Sequence, residues 1–351
     1  MDSYYTLEVI DINKDYDDTL CLTLLEKNNK FKSFHAGQFL TLLIDVQGEE
    51  VRRSFSISSS PEELPKIMLA IKKVNDGVIS GHLFNKIAVG DTLKVLPPLG
   101  NFTVTTSPEN ERHIVMFGAG SGITPLFSQL KSILNNEPNS KVTLLYGNRT
   151  ESSVIYKKEL DDLQNIYNSR FIIKHHLTQP HEGWDGFEGR ITKKTVVNFL
   201  LSTPDAVGTA VEYYLCGPDE MMQSVISAIT EQGVSTKKIH REAYNTSVVE
   251  KDESIEIIQR EVTIIFKGDE FKILVEPGKT ILQTALDAGI KLPNSCQFGS
   301  CATCKAKLLS GRLQLIDQTA LTEEELENGF CLTCVGHPAS DNVVILYEDQ
   351  F

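Results

Sequence analysis

Five of the seven cysteines in this 351-residue chain fall between Cys296 and Cys334, and three of them share one short run, Cys296-Gln-Phe-Gly-Ser-Cys301-Ala-Thr-Cys304. An odd number of crowded cysteines makes a poor disulfide framework, whereas a metal site accounts for the crowding. The spacing C-x4-C-x2-C with a distant further cysteine suits a [2Fe-2S] cluster, because one loop can wrap the cluster while a last thiolate arrives from elsewhere in the fold. Small residues in the loop (Gly299, Ser300, Ala302, Thr303) allow backbone N–H groups to approach the sulfides. A rival reading pairs Cys301-x2-Cys304 with Cys331-x2-Cys334 as a zinc ribbon, at an unusually long separation and with no role for Cys296. A purely structural set of buried thiols is the third. Cys21 and Cys216 lie on apolar runs and read as small buried hydrophobes.

The length predicts two or three domains. Residues 1–107 carry short Val, Ile, Leu, Phe and Thr runs broken by turn residues, the pattern of an antiparallel β-barrel, with a brief helix at Val78 to Lys86. Residues 108–245 alternate strand and helix: strands at His113 to Phe117, Lys141 to Tyr146, Phe171 to His175 and Tyr213 to Cys216, helices at Ile123 to Leu134, Ser153 to Leu163 and Pro218 to Ile229. That alternation predicts an α/β domain with a parallel sheet, whose ligands sit at the carboxyl ends of the strands. The polar stretch 246–261 reads as a linker, and 262–351 as a compact α+β unit. A net charge of -13 without a basic stripe argues against a nucleic-acid partner. No apolar run approaches the roughly 18 residues that span a bilayer, and the N-terminus lacks a signal pattern, so no membrane partner and a cytoplasmic location are expected.

Several runs carry chemistry. Gly118-Ala-Gly120-Ser-Gly122-Ile-Thr124-Pro125 follows a strand and opens a helix, where glycines let the backbone approach a diphosphate and the helix start supplies N–H groups. Arg149, with Thr150 and Ser152, follows the second strand of that domain and favours a 2′-phosphate, hence NADPH, with NADH as the alternative because Glu151 is close by. On the barrel, Arg53-Ser54-Phe55-Ser56 offers a cation for phosphate, an aromatic face and a hydroxyl for a flavin ring. Gly77-Val78-x-Ser80 starts the brief helix.

These motifs are ones a known group shares. Residues from about Val262 onward resemble plant-type ferredoxin, with its β-grasp fold, which implies Cys296, Cys301, Cys304 and Cys334 as cluster ligands and Cys331 as a bystander. G-x-G-x-G-I-T-P, the Cys216-Gly217-Pro218 run, R-x-F-S, Gly77-x-x-Ser80 and Pro98-x-Gly100-x-Phe102 together resemble the ferredoxin-NADP reductase superfamily of FAD type, with Phe55 in place of the usual tyrosine. The resemblance implies nicotinamide docking near Cys216 to Pro218, Ser56 near the reactive flavin nitrogen, and an aromatic Tyr244 near the flavin. The module order resembles oxygenase reductases, especially those serving phenylacetyl-CoA ring epoxidases, with ketosteroid hydroxylase reductases similar. It implies electron flow from NAD(P)H through FAD and [2Fe-2S] to a terminal oxygenase or other acceptor protein. A flavin reductase or redox sensor, and more remotely a zinc-bearing binding module, are the alternatives.

Overall fold

Alternating apolar residues build the first part of the chain into β1 (Tyr5–Tyr16), β2 (Thr19–Leu25), β3 (Phe39–Val46), β4 (Glu49–Ser56), β5 (Lys66–Lys72) and β6 (Thr92–Val95), with helix α1 (Val78–Lys86) between the last two. The computed structural model describes every residue except 1–3, 28–29, 47, 75–76, 209, 243–257, 298, 300, 317, 319, 322 and 348–351. The six strands pair antiparallel in the order β4-β3-β6-β1-β2-β5, and a bridge between Ile57 and Leu69 joins the two outer strands, closing the expected barrel. Period-two patterning decides the faces: Leu20, Leu22 and Leu24 share one core with Leu40, Leu42, Ile67, Leu69 and Ile71. Cys21, pointing the other way, joins a different core.

The strand and helix alternation that follows gives β7 (His113–Ala119), α2 (Ile123–Asn136), β8 (Lys141–Asn148), α3 (Lys157–Tyr167), β9 (Phe171–Leu177), β10 (Phe187–Glu188), α4 (Lys193–Ser202), β11 (Val211–Cys216), α5 (Asp219–Thr230) and β12 (Ile239–Glu242). The sheet is parallel, in the order β10-β9-β8-β7-β11-β12. Chain direction across the sheet reverses between β7 and β11, a switch point of the kind that opens a ligand crevice. One face packs against α4 and α5 through Phe199, Leu200, Met222, Val225 and Ile229. The other face shares its core with the barrel: Ile114, Leu126, Leu130 and Tyr214 cluster with Cys21, Ala36, Ala70, Phe102 and Val104. Helix α2 also touches the barrel through polar atoms, with Ser128 Oγ donating to Ser59 O at 2.6 Å and Gln129 Nε2 to Phe102 O at 2.7 Å.

Two features differ from expectation. Helix α3 begins at Lys157 and not near Ser153, because Tyr156 takes a left-handed conformation (φ 60°) that an α-helix cannot include. Helix α4, which the sequence reading did not place, is short, buries only Val196, Phe199 and Leu200, and is capped by Thr192, whose side chain accepts from Thr195 N.

The structure divides into two compact units, 1–245 and 246–351. The second contains β13 (Arg260–Phe266), β14 (Asp269–Val275), α6 (Ile281–Asp287), β15 (Lys305–Ser310), β16 (Leu313–Leu315), α7 (Glu323–Glu327), β17 (Phe330–Leu332), β18 (Gly336–Pro338) and β19 (Val343–Tyr347). Five strands form a mixed sheet in the order β14-β13-β19-β15-β17, and β16 pairs with β18. Thr280 caps α6, its side chain accepting from Gln283 N at 3.2 Å. Of the expected linker, residues 246–257 lie outside the described residues, while Arg260 and Glu261 already belong to β13, where Arg260 pairs with Val275 and bonds Asp341 at 3.0 Å.

Candidate functional site

Backbone meets backbone where the glycine turn faces the end of β11. Cys216 lies opposite Gly118 in the parallel pairing. A Cβ added to Gly122 would stand 2.1 Å from Cys216 O and 3.0 Å from Gly217 N, so no side chain is possible there. Gly217 is less tightly packed, its added Cβ lying 2.9 Å from the flexible end of Met221 and 3.2 Å from Ala119 N. Thr124 Oγ1 donates to Ser121 O at 2.9 Å and fastens the turn to the first turn of α2, where Pro125 loses no hydrogen bond. Tyr146 OH donates to Gly120 O at 2.9 Å from the neighbouring strand. The 14-residue α2 and the 12-residue α5, which follows Pro218, both start at this carboxyl edge. The start of α2, with no acidic residue in its first turn, suits a diphosphate, whereas α5 opens with Asp219 and Glu220.

The barrel contributes to the same edge. Lys72, the last residue of β5, places Nζ 3.6 Å from where a Cβ on Gly120 would be, and pairs with Asp18 at 3.3 Å. Neither residue stood out in the sequence, since Lys72 sits in an ordinary Lys-Lys pair. At the end of β4, Arg53 is exposed, the Ser54 and Thr41 hydroxyls bond each other at 2.9 Å, and Phe55 is half-buried beside the barrel core. Ser56 is buried, and its Oγ donates to Glu242 Oε2 at 3.3 Å. Glu242 ends β12 opposite Cys216. Ser56, Cys216 and Glu242 therefore gather at one edge, the first from the barrel and the others from the parallel sheet. Burial pushes the Glu242 carboxyl up to about 8, and the Ser56 hydroxyl offsets this only in part. Tyr244 lies outside the described residues.

Gly77 caps the nine-residue α1, and a Cβ there would approach Ser80 Oγ to 2.6 Å. Ser80 Oγ accepts from Val74 N at 3.1 Å, so the hydroxyl closes the turn and leaves the helix N–H groups, including that of Val78, for an anion. An exposed arginine, a half-buried aromatic ring and this glycine-built helix start form a donor set suited to a flavin dinucleotide.

The loop after β8 holds Arg149 exposed. The hydroxyls read in the sequence as phosphate donors are engaged: Ser152 Oγ donates to Asp17 Oδ2 at 2.8 Å and Thr150 Oγ1 to the same oxygen at 3.4 Å. Glu151 bonds His181.

In the second unit, Cys296, Cys304 and Cys334 are buried and Cys301 half-buried. The Cys296 thiol interacts with those of Cys301 and Cys334, and Cys304 with Cys334, so the predicted set assembles. The Cys334 and Cys304 neighbours hold each other unequally, with Cys304 lowered by the Cys334 contact and Cys334 raised by its contacts with Cys296 and Cys304. Left-handed Gln297 (φ 62°), Gly299 (φ 79°) and Ala302 (φ 55°) coil the loop around the thiols. The Cys296 N–H points to Cys301 Sγ at 3.5 Å. Cys331 instead donates to Ala306 O at 3.4 Å across the β15–β17 pair, so the two-pair layout of a zinc ribbon is not formed. Behind the loop, the hydroxyls of Thr333 and Tyr347 bond at 2.5 Å, and Thr333 N donates to Cys304 O at 3.3 Å. Three thiols from a tightly coiled loop and a fourth, Cys334, from the segment after β17 match the donor chemistry of a [2Fe-2S] cluster.

Among the described residues no helix is long and apolar enough to cross a membrane. The Oxidoreductase FAD-binding domain family matches residues 8–104, the Oxidoreductase NAD-binding domain family 116–226, and the 2Fe-2S iron-sulfur cluster binding domain family 264–339. A 1,2-phenylacetyl-CoA epoxidase component from Escherichia coli (strain K12) is 31% identical, covering 99% of each chain. The ferredoxin reductase component of 3-ketosteroid-9-alpha-monooxygenase from Rhodococcus rhodochrous is 34% identical over 91% of this chain and 89% of that one. Among solved structures, phthalate dioxygenase reductase superposes with a TM-score of 0.65 at 21% identity, over 99% of this chain and 98% of its own. The chain belongs to the ferredoxin-reductase-type oxidoreductases in which an FAD-binding, an NAD-binding and a [2Fe-2S] domain follow one another in one polypeptide.

Proposed function

We propose that this chain is the reductase of a multicomponent oxygenase and delivers electrons from NAD(P)H to a terminal oxygenase acting on an aromatic-ring CoA thioester. The observation that carries the electron-transfer reading is the convergence of Ser56, Cys216 and Glu242 beside the glycine turn, in a chain that also assembles four thiols. When bound, the nicotinamide supplies two electrons as hydride, the flavin separates them and the cluster passes them on singly.

The chain's own residues hold and orient these groups. The glycine turn and the start of α2, with Lys72, bind the diphosphate of the nicotinamide cofactor. Gly122 lets the glycine turn pack directly on the backbone of Cys216 and Gly217, which fixes the end of β11 where the nicotinamide would approach. Arg53 and the start of α1 take the flavin phosphates, Phe55 packs against the flavin, and Ser56 presents its hydroxyl while held by the protonated Glu242. Cys296, Cys301, Cys304 and Cys334 ligate the cluster. A cavity of about 250 Å3 lined by Lys279, Gln283, Gln297 and Cys334 opens next to the ligand loop. The acidic α7, with Glu324 and Glu327 exposed, suits a basic docking face on the acceptor.

Anaerobic mixing with reduced nicotinamide should bleach the flavin first and the cluster after it. Adding oxygenase components from a panel should then reoxidise the cluster fastest with a phenylacetyl-CoA epoxidase, and more slowly as salt rises. A cluster that stays oxidised beside a reduced flavin would sink the electron-transfer reading. Preference for a steroid hydroxylase would replace the CoA-thioester assignment; the 34% identity to the Rhodococcus component favours that second reading.

A further inference from the structure

We propose that Asp17, in the barrel's β1–β2 turn, makes the nucleotide site select NADH over NADPH. The inference rests on the reductase reading above and names the cofactor that site takes.

Strand β8 runs beside β7 and pairs Gly147 with Ala119, so the loop after β8 opens at the same edge as the glycine turn. In parallel nucleotide-binding sheets this second strand ends at the adenosine ribose: a carboxylate there accepts from a free 2′-OH, while a 2′-phosphate needs cations and donors. The sequence places Arg149, Thr150 and Ser152 in the loop, which favours the phosphate. The fold adds a carboxylate that linear reading cannot see, because Asp17 lies more than a hundred residues away. Ser152 Oγ and Thr150 Oγ1 both donate to Asp17 Oδ2, at 2.8 and 3.4 Å, and the two hydroxyls bond each other at 3.1 Å.

The turn that presents Asp17 is anchored on both sides. Tyr16 OH accepts from Tyr156 N at 3.0 Å. Asp18 accepts from Lys73 N through its carbonyl at 2.7 Å, and its carboxylate pairs with Lys72 at 3.3 Å. A 2′-phosphate drawing on the Thr150 and Ser152 hydroxyls would have to displace Asp17 and then lie against its charge. Glu151 adds a second carboxylate to the loop, and Arg149 is the one opposing charge within it. A ribose 2′-OH meets no such conflict, since it can donate to Asp17 while Ser152 keeps its own bond to that carboxylate.

The test is anaerobic stopped-flow reduction of the flavin in the full chain with each nucleotide, for wild type, Asp17→Asn and Asp17→Glu. Calorimetric titration of the oxidised proteins with 2′,5′-ADP and with 5′-AMP gives a readout independent of turnover. Wild type should favour NADH in kcat/KM by about tenfold or more, the scale of one charge-assisted hydrogen bond. Asp17→Asn should narrow that ratio by a similar factor, through a lower KM for NADPH and a higher one for NADH, and should tighten 2′,5′-ADP while weakening 5′-AMP, whose free 2′-OH loses its charged acceptor. Asp17→Glu should retain the wild-type preference. A wild type that prefers NADPH, or a ratio and a 2′,5′-ADP affinity unmoved by Asp17→Asn, overturns the proposal. If neither nucleotide reduces the flavin, the reductase reading falls and this inference falls with it.

Discussion

Glu242 is the residue whose chemistry is most changed by folding. It is one of 47 acidic residues, and its neighbours in the run Ile239-His240-Arg241-Glu242 give it no chemical role of its own. Two partners distant in sequence make it distinctive: the β11 register that places it beside Cys216, and the Ser56 hydroxyl, 186 positions away. Its raised carboxyl fixes the sign of a pH effect. Between about 4.5 and about 8 the native state holds a proton that the unfolded chain has released. Stability from this group is therefore greatest at the acid end of that window and declines as pH rises through it. Glu242→Gln, which keeps the neutral shape, should melt close to wild type near pH 5 and above it near pH 8. The difference at pH 8 should be on the order of a few kcal/mol, read by thermal unfolding of the apoprotein. Parallel pH profiles would mean that Glu242 is ionised in the folded protein.

At the scale of elements, the turn between β7 and α2 was legible because its constraint is local: a strand, closely spaced glycines, then a helix. Its partner was less so. The contact of Gly122 with Cys216 depends on β11 pairing with β7, and that pairing reaches across almost a hundred residues. Gly122→Ala would force the glycine turn away from backbone, which cannot rotate aside as a flexible side chain can. About 1–3 kcal/mol of stability should be lost by denaturant unfolding, together with most nicotinamide-driven flavin reduction. Dithionite should still reduce the flavin, since the barrel is untouched. The start of α3 eluded sequence reasoning for the converse reason: Tyr156 adopts its left-handed conformation against Phe127, on which it stacks at 4.6 Å, and Ser58, which it bonds at 2.6 Å. Those partners lie on other elements. The cysteine loop needed no such help, because three of its four thiols come from nine consecutive residues.

At the scale of the molecule, the order of chemistries along the chain was readable because each module keeps its motifs in one contiguous stretch. What could not be read was how the hydrophobic cores are divided. The barrel and the parallel sheet share a core, with Cys21, Ala70 and Phe102 from one meeting Leu126, Leu130 and Tyr214 from the other. Among the described residues, the core of the third module is built from residues between Val262 and Tyr347. A chain ending at residue 245 should therefore unfold in a single cooperative transition and still reduce ferricyanide with a nicotinamide cofactor. It should fail to pass electrons to an oxygenase. Two separate melting transitions in that fragment, one for the barrel and one for the sheet, would show that the shared core does not couple them.

The shared core also bears on how such proteins can be reassembled over evolution. A gene rearrangement that exchanges the barrel alone must match a new surface to Leu126 and Tyr214, and most exchanges would leave apolar side chains without partners. One that attaches, removes or replaces the cluster module leaves that shared core whole. Recombination is thereby steered toward keeping the flavin and nicotinamide modules together as an inherited pair, while the one-electron outlet changes with the acceptor it serves.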